Sequence, residues 1–336
     1  MDVDSEPKEP KRIEELWFDD GGLVIRAQSS LFRVSRAILA ARSCVFKDML
    51  SFPQPPESEL IEGCPVVQLH DSADDMTVFL RAIFDSEFFM PYPAPTSFDI
   101  IAGILRLSNK YAVEYLRRRA LVHLSSAYPT TLSAYDESTS SDASHLVRPS
   151  WIDETAFPEF AVIKLSLEVD APWILPSSFY YAAIEEDGPE LIKEALVCNF
   201  ADKRTPKLDS AYHSAFLKGY LQQRESAMTE ILRFLYHPLT IESCTGGSIC
   251  IITRLGAFED VRNNLLKYPS IPLSIWGSGD WGRLSGACLT CRSALRRTHR
   301  EARQSFWAKL PAMYGLPGWE ELEKMKAAAI GSDLIR

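Results

Sequence analysis

The chain has 336 residues, 46% hydrophobic and 24% charged, enough for two or three domains that each bury a core. A formal net charge of −9 argues against general affinity for nucleic acid or anionic lipid, and no apolar run reaches membrane-spanning length. Seven cysteines, thinly spread behind an acidic start without an apolar export segment, read as reduced thiols or metal ligands of an intracellular protein.

Residues 1–11 are acidic and Pro-containing and read as a disordered leader. "GLVIRA" then alternates, with Leu23, Ile25 and Ala27 on one face, and Phe32 and Val34 repeat the alternation after the turn "QSS". The pattern becomes helical at Ala37, and Ser43 suits the cap of a second short helix carrying Phe46, Met49 and Leu50. After the proline-rich loop "SFPQPPESE", "PVVQL" (65–69) predicts a short buried strand. Asp71 or Ser72 caps the next helix, where Met76, Phe79, Leu80, Ile83 and Phe84 form an amphipathic stripe. Another break, "PYPAPTS", precedes a helical region from Phe98 to Tyr128 that divides near Asn109–Ala112.

The polar, Ser-rich stretch 131–150 predicts a linker. Beyond it, residues 151–336 read as almost wholly helical. "PEFAVIKLSLEV" is one helix that "DAPW" breaks; "PSSFYYAAIEED", "GPELIKEAL" and the long run from Leu208 to His237 follow. No solenoid or propeller period is present.

The segments "ILAARSCVFKDML", "PVVQLHDSADDMTVFLRAIFD" and "IIAGILRLSNKYAVEYLRRRAL", in this order, resemble the BTB/POZ domain. The whole chain is similar to BTB proteins abundant in mushroom-forming fungi, which append a helical region with a late "C..C" and "FW..LP..yGLP.W", here "CLTC" and "FWAKLPAMYGLPGW". The resemblance implies an α+β BTB/POZ-like domain at 12–130, a small sheet with helical hairpins, followed by a mostly α-helical domain at 151–336. It also implies protein partners: a second copy of the chain, or a cullin to which an adaptor recruits targets for ubiquitination. Two departures bear on these implications. Ser35 stands where many BTB domains have a histidine, and "FDSEFFMPYPAPTSFD" holds no convincing copy of the hydrophobic–x–Glu element of cullin adaptors.

Three constellations are candidates for function. Cys244 and Cys250 form C-x5-C, and Cys288 and Cys291 form C-x2-C; together they make either a tetrahedral structural zinc site or four small buried hydrophobes. His299 does not join them, because in one helix it lies about 12 Å along the axis from Cys291; it reads as a packed structural histidine. Arg292, Arg296, Arg300 and Arg303 form a basic stripe that suits phosphates or an acidic partner, or is simply a solvated face. One such stripe on an acidic chain disfavours nucleic acid, which leaves a nucleic-acid-associated regulator using the Arg292–Arg303 helix face as the alternative to an interaction module. The third candidate is "IFDSEFFMPYP": if exposed, the run marks a protein-binding patch, with Phe89, Met90 and Tyr92 as the expected partner-binding residues, in a region to which the BTB resemblance assigns partner contacts; otherwise its alternate aromatics are buried under the last two helices. No P-loop, G-x-G-x-x-G, G-x-S-x-G or H-E-x-x-H occurs, so catalysis is not expected.

Overall fold

A computed structural model describes residues 10–52, 59–139, 151, 158–184, 208, 210–237, 240–267 and 271–331. The expected leader (save 10 and 11), the expected "GPELIKEAL" helix and residues 140–150 of the expected linker lie outside the described residues. The described chain falls into two units, 10–127 with Trp151 and 328–331, and 128–139 with the remainder up to 327.

The first unit is built on strands β1 (Lys11–Trp17), β2 (Leu23–Ala27), β3 (Ser30–Val34), β4 (Leu60–Ile61) and β5 (Cys64–Leu69), in sheet order β1-β3-β2-β5-β4. The hairpin β2–β3 pairs Leu23 with Val34 and Ile25 with Phe32, while β2 runs parallel to β5, with Ile25 opposite Val67. As the central strand, β2 is covered on both faces, so Val24 is as buried as Leu23 and Ile25. Strand β5 is only half-buried beyond Cys64, less than its apolar run predicts. Strand β1 has no counterpart in the sequence reading. "KRIEELW" mixes charges of both signs and buries only Leu16, the composition of a guarded edge.

Helices α1 (Arg36–Arg42) and α2 (Cys44–Ser51) meet at Ser43. Its hydroxyl accepts from the Phe46 backbone N–H at 3.0 Å, capping α2, and donates to the carbonyl of Tyr111. Helix α3 (Ala73–Phe84) is capped by Ser72 rather than Asp71. Asp71 is occupied elsewhere, accepting from Lys110 Nζ at 2.6 Å and from the Tyr111 hydroxyl. Helices α4 (Phe98–Lys110) and α5 (Glu114–Ser125) divide where the sequence predicts, with Ala112 at φ 51° between them. Tyr111 stacks on Phe46 with ring centroids 4.5 Å apart, so the α4–α5 corner packs on the α1–α2 corner.

The second unit is helical. It begins with α6 (Leu132–Thr139), inside the stretch expected to be linker. Tyr135 anchors this helix, buried against Tyr180 and Trp307 with centroids 5.7 and 5.6 Å away, and Asp136 beside it pairs with Arg303. One aromatic among polar residues leaves no amphipathic period to read. Next come α7 (Pro158–Glu168), a 3-10 turn (Pro172–Ile174) and α8 (Leu175–Ile184), whose residues 175–183 are all buried. Helix α9 (Ser210–Ser226) passes through a π turn (Ala227–Ile231) to α10 (Arg233–Tyr236). Helix α11 (Ser248–Lys267), a 3-10 segment (Ser278–Leu284), α12 (Leu289–Met313) and α13 (Trp319–Ile330) complete the order.

The motif "FWAKLPAMYGLPGW" is core. Trp307 stacks on Trp319 at 5.3 Å, and Tyr314 stacks on Phe179 at 4.9 Å while its hydroxyl donates to Gln223 Oε1 at 2.8 Å. None of the helices is long and apolar enough to cross a membrane among the described residues.

Candidate metal centre and protein-binding face

Four sulfur atoms, those of Cys244, Cys250, Cys288 and Cys291, lie within 4.8 Å of one another and could hold a metal ion. The two pairs reach this arrangement in the same way. Cys250 sits in the first turn of α11 with Cys244 in the loop before it; Cys291 sits in the first turn of α12 with Cys288 as its N-cap. Two helix N-termini, with their unpaired N–H groups, therefore converge on four thiols. The loop "CTGGSIC" makes the longer spacing workable. A Cβ on Gly246 would come within 2.3 Å of Cys250 Sγ, and Gly247 has φ 51°.

The sulfurs already receive hydrogen bonds. The Cys288 backbone N–H donates to Cys250 Sγ at 3.2 Å, and the Cys291 thiol donates to Cys244 Sγ at 3.4 Å. Backbone bonds from Cys291 and then Thr245 bring Cys288 down to about 5. The Cys291 thiol, followed by the Gly246 backbone, lowers Cys244. Burial, reinforced by the neighbouring thiols, raises Cys291.

A pocket of about 220 Å³ opens beside the sulfurs, lined in part by Ile241, Ile251, Arg254 and Leu295. Arg254 is 7% exposed, and its Nε has no hydrogen-bond partner among the described residues. The sequence reading passed over this residue, although it stands one helical turn after Cys250 on the same face.

His299 is buried between Phe234 and Trp281, with centroids 5.2 and 5.5 Å from its own, and packs as expected of a structural histidine. The basic stripe is partly consumed within the fold. Arg303 pairs with Asp136, its Nη1 3.0 Å from Oδ2, and Arg296 lies over Trp281 at 4.5 Å. Arg300 is exposed and Arg292 half-buried.

In the first unit the aromatic run 84–92 divides. Phe89 is 1% exposed and packs on the ring of His123 at 5.1 Å, so it is not the partner-binding residue the sequence suggested; it belongs to the core. Arg119 donates to the Phe89 carbonyl and His123 Nε2 donates to the Met90 carbonyl at 2.9 Å, fixing the backbone that turns Phe89 inward. Met90 and Tyr92 remain 47% and 49% exposed, and Tyr115 on α5, which the sequence reading missed, joins them at 38%. Tyr92 and Tyr115 line a groove of about 400 Å³ together with Pro91, Glu114, Arg119 and Val122, among others.

Compared with known families, residues 20–127 match the model described as BTB/POZ domain. This span is a BTB/POZ domain. No curated protein and no solved structure matches the chain. The BTB/POZ domain is a protein-interaction module rather than a catalytic one. At the position where many BTB/POZ domains carry histidine, Ser35 caps α1, its hydroxyl accepting from the Ile38 N–H at 3.4 Å. The residue is thus tied to the backbone of the strand-to-helix corner. The exposed trio of Met90, Tyr92 and Tyr115 lies on this same domain.

Proposed function

We propose that the chain is an adaptor whose BTB/POZ domain docks the N-terminal region of a cullin on the face formed by Met90, Tyr92 and Tyr115. The observation that carries this reading is the exposure of Tyr92 and Tyr115 in the wall of one groove, with exposed Met90 two residues before Tyr92. Such side chains are the usual anchors of protein interfaces, where they fill pockets on the partner.

Self-association by strand addition is poorly supported. The outer strand β1 exposes Lys11, Arg12, Glu14 and Glu15, and the opposite edge, β4, is two residues long. Charged and short edges oppose pairing between sheets.

Light scattering of the full chain, alone and mixed with a cullin N-terminal region, tests the proposal. The expected result is a monomer alone and a one-to-one complex in the mixture. A monomer that ignores the cullin removes the cullin reading. A dimer that Tyr92→Asp with Tyr115→Asp disperses would assign the same face to a second copy of the chain.

A further inference from the structure

We propose that Cys244, Cys250, Cys288 and Cys291 hold one structural zinc ion as a closed tetrathiolate, with Arg254 offsetting part of its negative charge. The argument starts from distance. Zinc–sulfur bonds of about 2.3 Å in a tetrahedron place the sulfurs roughly 3.8 Å apart. Here the four are within 4.8 Å of one another, and the sulfurs of Cys244 and Cys291 are 3.4 Å apart. Shifts of a few tenths of an ångström to about one ångström complete the coordination.

Burial argues against cysteine as mere filling. Cys250 and Cys291 are buried, but Cys244 and Cys288 are only half-buried, where a small hydrophobe gains little. All four nevertheless turn their sulfurs to one point. Around them the local core is thin: Cys250, Ala287 and Cys291 are its buried members, with Ile241, Cys244 and Cys288 packed against it. A metal would supply the cohesion that these small side chains lack.

Charge supplies the independent observation. A zinc ion with four thiolates carries two net negative charges. Arg254 is a buried guanidinium in the wall of the pocket beside Cys244, Cys250 and Cys291, with its Nε unpartnered among the described residues. The N-termini of α11 and α12 face the same point. A buried cation and two helix ends are costly around four neutral thiols and favourable around an anionic cluster.

Four protein sulfurs complete the tetrahedron and leave no position for water. Among the described residues no carboxylate or imidazole joins the cluster. The ion is therefore a clamp between the start of α11 and the start of α12, not a catalyst.

The test is made on the reduced full chain. Metal analysis after incubation with zinc and gel filtration should find one zinc per chain. Substitution by cobalt should give the sulfur-to-cobalt charge-transfer band and intense d–d bands of a tetrahedral thiolate site. The variant Cys244→Ser with Cys288→Ser should lose the metal, while Cys64→Ser should keep it. Arg254→Leu should hold zinc roughly tenfold less tightly against a chelator, as expected for a supporting residue. A wild-type chain that binds no zinc after reduction, a cobalt spectrum without thiolate bands, or a double variant that retains full zinc would each overturn the proposal. Because two of these outcomes are read on the wild-type chain, a variant that fails to fold does not spare it.

Discussion

Phe89 lies against the His123 ring with almost none of its surface in water, while Tyr92, three residues on, keeps half of its own exposed. Truncating each should separate core from surface. Phe89→Ala should destabilise the BTB/POZ domain by about 3–5 kcal/mol, the cost of a large buried aromatic. Tyr92→Ala should change stability by less than about 0.5 kcal/mol; urea unfolding of the two variants compares them directly. Equal losses would show that both residues are core.

His299 offers a second contrast. Burial, with a smaller contribution from Arg303, lowers its pKa from 6.5 to about 4. Between these values the unfolded chain takes up a proton that the folded chain refuses, so the helical unit loses stability as pH falls from 6.5 to about 4. Below that window the loss levels off at about 3 kcal/mol. His299→Phe should flatten the pH dependence in that window, measured as the urea midpoint against pH; an unchanged slope would assign the dependence to other groups.

Where two elements meet, single polar residues fix the angle. Ser43 ends α1, caps α2 and donates to the Tyr111 carbonyl, so three segments lean on one hydroxyl. Ser43→Ala should cost about 2 kcal/mol, a lost cap together with a buried carbonyl left unpaired. A loss below about 0.5 kcal/mol would mean that water takes over both roles.

At this scale the sequence was legible wherever periodicity and capping agreed. The β2–β3 alternation, the Ser43 corner and the α4–α5 division all carry such paired signals. It was illegible where one signal stood alone. Strand β1 buries only Leu16, and α6 is held by Tyr135, whose partners Tyr180 and Trp307 are far along the chain. The cysteines show an intermediate case. Their spacing named the four residues, but only the helix starts explain why C-x5-C and C-x2-C reach one point. Arg254 stands one turn after Cys250, but that spacing does not say that its guanidinium is buried. Likewise, the aromatic run 84–92 was visible, but which of its members face water depends on Arg119 and His123 in α5.

The molecule joins a BTB/POZ domain, matched at residues 20–127, to a helical unit with a candidate metal centre. The match supports a protein-interaction role for this domain, and the proposed docking face is its exposed Met90, Tyr92 and Tyr115. An interface built on Met90, Tyr92 and Tyr115 is largely apolar and should resist salt, unlike one built on arginine and phosphate. It should also concentrate its energy in the tyrosines, with about 2 kcal/mol or more per anchor.

A titration of a labelled cullin N-terminal region with the full chain, at low and at moderate salt, tests this most directly. The account predicts affinity that changes little with salt, falls by roughly 30-fold on either Tyr92→Ala or Tyr115→Ala, and by roughly a thousandfold on both together. Affinity that collapses with salt, or that survives the double substitution, would contradict it.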